Sequence, residues 1–358
     1  MAFNQSMIDS DSKKYKGYRL LAVDGSDINV AYDETADTYI KPAIKVKQDG
    51  TSGKGFNQYH LNALYDLLNH VYLDATITPR PTTSERREFI SMVERASFSE
   101  PTLYIADRGY PAWSVFAHFK YKDNADYLIR VKNSENTLVS HLPMEEFDID
   151  KTVMISTNQY DYGKPNTIVV HKLKGTQANR KYKKNRTTKP TQWDFSDNEI
   201  LHIRIVRFKI SDDTYETIFT SLPKDKFSIA EIKELYHMRW GIETSFRELK
   251  YILGLTNLHG KKDAFVKQEI WSKLIMYNMS ERVVSYIVVK QDKNRAYTYQ
   301  VNFTMAITFC LDFFRNLISS SVLLDLIHKH ILPIRPGRQD KRKLRAKSFV
   351  GFLYRVAA

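Results

Sequence analysis

The segment from Ser228 to Gly254, SIAEIKELYHMRWGIETSFRELKYILG, limits what this chain can fold into more than any other stretch. Ser228 and Glu231 form an S-x-x-E capping box, and Gly254 is placed to stop what the box starts. The pattern predicts one helix across the segment. Tyr236, Arg239, Glu243 and Lys250 follow one another at offsets of +3, +7 and +14 from the tyrosine. At about 100° per residue, all four fall within roughly 60° of one another. One face would then carry an aromatic hydroxyl, a guanidinium, a carboxylate and an ammonium. A carboxylate between fixed cations suits a metal ion facing a phosphate. Trp240, Phe246 and Leu249 read as the core-facing stripe of the same helix. Gly241 costs about 1 kcal/mol against alanine inside a helix, which close approach of a strand or of substrate would explain.

Two aspartates have the setting of metal partners. Residues 19–23 read as a short strand ending at Asp24 in RLLAVDGS, and residues 103–106 as a compact apolar strand delivering Asp107 in LYIADRGY. Asp27 lies close to Asp24 and reads as part of the turn after the first strand. Residues 59–68 and 71–78 suggest two more strands, 83–96 a helix, 113–119 another, and 126–131 a further strand. That order of three strands, helix, strand, helix, strand resembles a ribonuclease H-like core, with the aspartates at strand ends where ligands sit in open α/β sheets. From about 132 to 222 the texture turns β-rich. Strands are expected at 153–157, 166–173, 200–210 and 215–221, with an SDDT turn making a hairpin of the last two. Residues 265–289 and 301–332 read as amphipathic helices covering the core.

Charge sets the class of partner. The 358 residues hold 54 Lys plus Arg against 41 Asp plus Glu, a net +13, which favours a polyanion. No apolar run is long enough to span a membrane, and the N-terminus has no signal-peptide core. Nucleic acid is therefore the expected anion rather than a membrane. The run 172–189 (KLKGTQANRKYKKNRTTK) has eight basic residues and no acid, among them Arg180, Lys181, Lys183 and Lys184. Its functional reading is contact with the DNA backbone, and its bland one a solvated loop. Residues 335–347 are similar, with seven basic residues and one acid. Trp193 reads either as a core residue or as an aromatic that receives a flipped base. Cys310, the single cysteine, reads as a buried small hydrophobe in a reducing cytoplasm. The ten histidines have no zinc-type spacing, and there is no P-loop or nucleophile elbow.

The Y-x2-R-x3-E-x6-K pattern at Tyr236, Arg239, Glu243 and Lys250 resembles the signature of DDE transposases of bacterial insertion sequences, the YREK subgroup or IS-four family. The DGS at Asp24 and the DRGY at Asp107 resemble that family's first two acidic motifs, over roughly residues 19–255. The resemblance implies an α/β fold: a ribonuclease H-like core, with a mixed five-stranded sheet and flanking helices, interrupted by a β-rich insertion and followed by a helical C-terminal part. The expected boundaries are a poorly ordered segment 1–18, core 19–132, insertion 133–225, core completion and helices 226–334, and a basic segment 335–358. It implies a catalytic and metal-binding trio of Asp24, Asp107 and Glu243 holding two Mg2+ ions, with Mn2+ able to substitute. Tyr236, Arg239 and Lys250 would bind phosphate. Two ions about 3.5–4 Å apart can activate an attacking oxygen and stabilise a leaving one.

The implied activity is cut-and-paste movement of an insertion sequence: metal-dependent strand cleavage, then attack by the freed 3′-OH, through a hairpin intermediate. The implied partners are double-stranded DNA, both transposon ends and target, and a second copy of the chain in the DNA complex. The implied location is the bacterial cytoplasm, at the nucleoid when DNA-bound. Members of the family also carry a DNA-binding domain ahead of the first acidic motif, and Asp24 lies near the start here, so a truncated chain is one expectation. Two rivals remain open at this point. One is a non-catalytic, DNA-binding or inhibitory fragment, and the other a ribonuclease H-like nuclease that only hydrolyses.

Overall fold

Continuous and alternating apolar runs between Arg19 and Thr220 build the strands of a mixed sheet. The computed structural model describes residues 12–42, 55–133, 138–156, 158–169, 198–211, 214–291 and 296–335. The basic run around Arg180, Lys181, Lys183 and Lys184, Trp193, and residues 336–347 of the C-terminal basic segment lie outside them.

The elements in chain order are β1 (Arg19–Val30), β2 (Tyr39–Ile40), β3 (Phe56–Asp66), β4 (Val71–Pro79), α1 (Glu85–Arg95), β5 (Thr102–Ala106), α2 (Trp113–Lys120) and β6 (Ala125–Val131). After them come β7 (Phe147–Ser156), β8 (Thr167–Val169), β9 (Glu199–Ser211), β10 (Thr214–Thr220), α3 (Ile229–Met238) and α4 (Trp240–Tyr251). The series ends with α5 (Asp263–Ser285), β11 (Tyr299–Val301), α6 (Phe303–Phe314), α7 (Ser320–Lys329) and β12 (Ile331–Pro333).

The chain divides into two compact units. The first comprises residues 1–13, 24–83 and 240–358, and the second residues 14–23 and 84–239. In the first, β2, β3 and β1 lie in that order, and β4 pairs antiparallel with β3. Helices α4 and α5 belong to this unit. A smaller core forms where Ala306, Phe309 and Cys310 of α6 meet Leu323 and Ile327 of α7. Cys310 is fully buried, and burial pushes its thiol up to about 11. The region read as one helix over 301–332 is thus two helices, bracketed by the antiparallel pair β11–β12.

In the second unit Arg19–Val23 of β1 pairs parallel with β5, and β5 pairs parallel with β6. The strands of the expected β-rich insertion lie in the same sheet: β10 pairs antiparallel with β6, β9 with β10, and β7 with β9. The sheet therefore has more strands than the five expected, because β10 satisfies the open edge of β6. The expected hairpin is the β9–β10 pair. Arg204, buried in β9, pairs with Asp148 of β7 at 2.9 Å and donates to the carbonyls of Leu222 and Phe227, which ties the following loop down.

Two local readings need correction. Asp24 does not end a strand: β1 runs through it to Val30, so Asp27 is a strand residue and not part of a turn. Pairing with a neighbouring strand overrides the turn preference of D-G-S. The predicted single helix is also two. The capping box forms, with Ser228 Oγ accepting from Glu231 N and Glu231 accepting from Ser228 N at 3.0 Å. The ladder breaks at Arg239, whose N–H turns to the carbonyl of Tyr236 three residues back. Gly254 adopts a φ of +68° beyond α4, the left-handed stop expected of it.

Candidate functional site

In the first unit, β1 carries Asp24, half-buried, with its Oδ1 accepting the Gly25 N–H at 2.8 Å. Helix α4 carries Glu243 in its first turn, also half-buried, where the helix dipole favours a carboxylate. The helix is pinned nearby. Tyr72 of β4 bonds Ser245 Oγ at 2.6 Å, and Ser245 donates to the carbonyl of Ile242 at 2.8 Å. Burial, then the charges of Glu248 and Asp24, hold the Tyr72 hydroxyl well above its ordinary pKa, against the opposing Ser245 bond. Gly241 has the role its cost implied. A Cβ there would stand 3.0 Å from Leu67 just past β3, so the missing side chain lets helix and strand end close up. Phe246 and Leu249 are buried as expected, but Trp240 is 49% exposed, so it is not part of the core-facing stripe.

Lys250, seven residues after Glu243 on α4, is half-buried. Burial lowers its pKa, and the charge of Asp27 opposes the fall. Among the described residues its ammonium has no hydrogen-bond or ion-pair partner. Asp27 itself gathers cations. His60 Nδ1 of β3 lies 2.6 Å from Asp27 Oδ1, and Arg80 Nε reaches the same oxygen at 2.9 Å. Burial alone would raise the Asp27 pKa. The His60 bond and the charges of His60, Arg80 and Lys250 together outweigh it and hold the carboxyl below its usual range. The ring of His60 then lies against Gly25, where a Cβ would overlap its Nε2. The three partners come from β1, β3 and the turn after β4. No spacing rule joins them, so nothing in the chain's order pointed to them beyond the position of Asp27.

In the second unit Asp107 follows β5 directly, as the sequence implied, and is half-buried. Its Oδ1 accepts the Gly109 N–H at 2.7 Å, and Arg86 Nε donates to the Gly109 carbonyl at 3.1 Å. Two bonds thus fix the turn that presents the carboxylate. Tyr236 and Arg239 are both buried here, with the guanidinium 5.7 Å from the centre of the tyrosine ring. Burial raises the Tyr236 pKa, while the charges of Arg239 and Arg130 and a hydrogen bond with Arg130 lower it. Arg130 in turn pairs with Glu216 at 2.8 Å. Of the signature residues, Glu243 and Lys250 therefore share one unit with Asp24, and Tyr236 and Arg239 share the other with Asp107.

Half-buried carboxylates are hard oxygen donors of the kind a divalent cation takes, and Mg2+ is often held by only one or two of them with waters and phosphates. The donor chemistry of Asp24, Glu243 and Asp107 fits such an ion. Among the described residues, no group of three or more His, Cys, Asp or Glu is gathered to hold one. No helix among them is long and apolar enough to cross a membrane.

Comparison with known proteins places these features in a family. Residues 15–279 match the transposase DDE domain. The chain is 36% identical over 58 residues to the putative transposase InsL for insertion sequence element IS186A of Escherichia coli (strain K12). It is equally similar to the transposase for insertion sequence element IS421 of Escherichia coli. Each alignment covers 16% of this chain and 16% of the relative. A solved piggyBac transposase synaptic complex with hairpin DNA aligns over 91% of this chain and 60% of that one, at 11% identity and a TM-score of 0.41. A DDE domain implies dependence on a divalent metal in general. With that domain spanning most of its length, this chain belongs to the transposase DDE family found in bacterial insertion sequences.

Proposed function

We propose that the chain is a DNA transposase that cuts a strand at an element end and joins the freed 3′-OH to a second phosphodiester. The observation that carries this is the match of residues 15–279 to the transposase DDE domain, which takes in Asp24, Asp107, Glu243 and the whole Y-x2-R-x3-E-x6-K signature. Asp24, Asp107 and Glu243 would hold the divalent metal, Mg2+ or Mn2+. Bound there, a metal pair activates the attacking oxygen and neutralises the leaving one. The fixing of Asp107 by Gly109, and of α4 by Tyr72, supports the pre-organisation such a site needs. Lys250 would hold a backbone phosphate, as would Arg239 with Tyr236. The ribonuclease H-like reading of the core is supported by the mixed sheet in which β1, β5 and β6 run parallel and β3 and β4 antiparallel. Double-stranded DNA, a second copy of the chain and a nucleoid setting complete the reading. So do a hairpin intermediate and a base-receiving role for Trp193.

The test is a cleavage and strand-transfer assay with DNA carrying the element ends. Asp24→Ala, Asp107→Ala and Glu243→Ala are each expected to reduce Mg2+-dependent cleavage to background while DNA affinity stays near that of the parent. Parent-rate cleavage by Glu243→Ala would sink the three-carboxylate assignment. Cleavage by the parent without joining would mark a nuclease that only hydrolyses.

A further inference from the structure

In the second unit, the turn between β7 and β8 is held more firmly than a short connection needs. Side chains and backbone together fix its shape. Ser156 Oγ donates to Asp161 Oδ2 at 2.5 Å and accepts the Asn158 N–H at 3.1 Å. Asn158 Oδ1 accepts the Tyr160 N–H at 3.1 Å, and the Asn158 carbonyl accepts the Asp161 N–H at 3.1 Å. Lys164 closes the turn, with its ammonium on Asp161 Oδ1 and its N–H on the Asp161 carbonyl. Gly163 at a φ of +85° and Asn166 at +52° supply the left-handed positions that return the chain to β8. Ser156 and Asp161 are buried, so the turn has a fixed root. Its outward side carries Tyr160, 91% exposed, and Tyr162, 78% exposed. Apolar residues exposed singly are ordinary on a protein surface. Two aromatic rings so close in sequence, on a backbone with little freedom to fold them away, are an arrangement for contact.

Charge selects the occupant. From Gly163 through Trp193 the sequence has no Asp or Glu, and the basic run 172–189 begins soon after β8. Asp161, the one acid between the two tyrosines, is matched by Lys164, whose side chain is exposed. A second copy of a chain with a net charge of +13 is repelled from such a surface, and an acidic polymer is drawn to it. A polymer that also carries aromatic bases uses the rings, because bases stack on exposed aromatic side chains while nearby cations follow the backbone. We propose that Tyr160 and Tyr162 form a stacking platform for unpaired bases of DNA. Bases inside a duplex cover one another's faces, so the platform fits a single strand or an opened end. The inference rests on the reading of this chain as a DNA transposase. It deepens that reading by naming a state of the DNA and two residues outside the carboxylates and the signature.

The experiment measures binding of the full chain to a labelled single-stranded oligonucleotide and to a blunt, fully paired duplex. It compares the parent with Tyr160→Ala/Tyr162→Ala and Tyr160→Phe/Tyr162→Phe. Expected for the alanine pair is at least about a fivefold loss on the single strand for each ring that carries a base, with duplex affinity little changed. The log–log salt slope on the single strand should match the parent's, because stacking releases no counterions. The phenylalanine pair keeps both rings and should bind as the parent does. An unpaired 2-aminopurine in the oligonucleotide reports stacking directly. Its fluorescence is expected to be quenched by the parent and the phenylalanine pair, and less by the alanine pair. Both side chains are exposed, and thermal unfolding checks that the variants fold. Unchanged single-strand affinity in the alanine pair, an equal loss on duplex and single strand, or a loss in the phenylalanine pair overturns the proposal. A parent that binds the duplex but not the single strand overturns it too and leaves the transposase reading standing. A parent that binds neither overturns that reading itself.

Discussion

Position 25 of β1 has no room for a side chain. An ideal Cβ there would overlap Nε2 of His60 and come within 3.3 Å of Asn62 Oδ1, and the Asp27 bond prevents the ring from swinging away. Gly25→Ala is expected to destabilise the protein by about 1–3 kcal/mol, the usual cost of overpacking. Chemical denaturation measures it, and the loss should shrink in Gly25→Ala/His60→Ala if the ring is the obstacle. The same position shows what a sequence can and cannot convey at this scale. Asp107 was legible because the compact apolar run 103–106 ends there at D-R-G. Asp24 was legible as a candidate, but its strand was not, since D-G-S has the chemistry of a turn and only pairing with a neighbouring strand keeps it extended. Asp27 read as a turn residue because its partners His60 and Arg80 are distant in sequence. Trp240 read as core because its spacing suits a helix stripe, whereas the helix breaks one residue before it.

Helices α4 and α5 meet at a cluster of buried hydroxyls and half-buried carboxylates. Tyr277 of α5 donates to Glu248 of α4 at 3.0 Å and to Glu281 at 3.4 Å, and its oxygen lies 3.1 Å from that of Tyr65 on β3. These groups line a cavity of about 630 Å3, beside Gly241, Lys13, His70 and Arg282. Burial, then the charge of Glu248, pushes the Glu281 carboxyl up to about 8, while Tyr277 and Lys13 pull the other way. An acid whose pKa is raised by folding stabilises the protein fully below its unfolded value, here 4.5, and that stability is lost as the pH climbs towards 8. Glu281→Gln is therefore expected to raise the melting temperature at pH 9, change it little at pH 5, and flatten the decline between. A melting curve that still falls as steeply in the variant would place the titrating group elsewhere. The existence of α3 and α4 was written in capping and periodicity. Ser228 marks the start of α3 and Gly254 the stop after α4, and both behave as read. The break at Arg239 was not, because no proline or unusual residue forces it, and the backbone simply takes a tighter turn there.

At the scale of the whole molecule, the net charge of +13 favours a polyanion without singling out any one contact. Neutralising Arg180, Lys181, Lys183 and Lys184 together is expected to weaken binding to all DNA sequences alike and to lower the log–log salt slope by at most about 3.6, at roughly 0.9 per phosphate. An unchanged slope would make that run a solvated surface and shift attention to the basic residues after 335. The sequence could give the sign of charge a partner is expected to carry because charge is additive. It could not give the division into units, since each is assembled from separate stretches of chain. That interleaving bears on how the protein is made. Residues 14–23 and 84–239 have all left the ribosome once Arg239 is out, so the second unit can close while synthesis continues. The first unit cannot, because Asp24–Thr83 must wait for α4 and everything after it. Its apolar strands, Leu61, Leu64 and Leu73 among them, stay uncovered throughout that interval. The nascent chain is then most exposed to aggregation and chaperone capture in the stretch that carries the DGS motif.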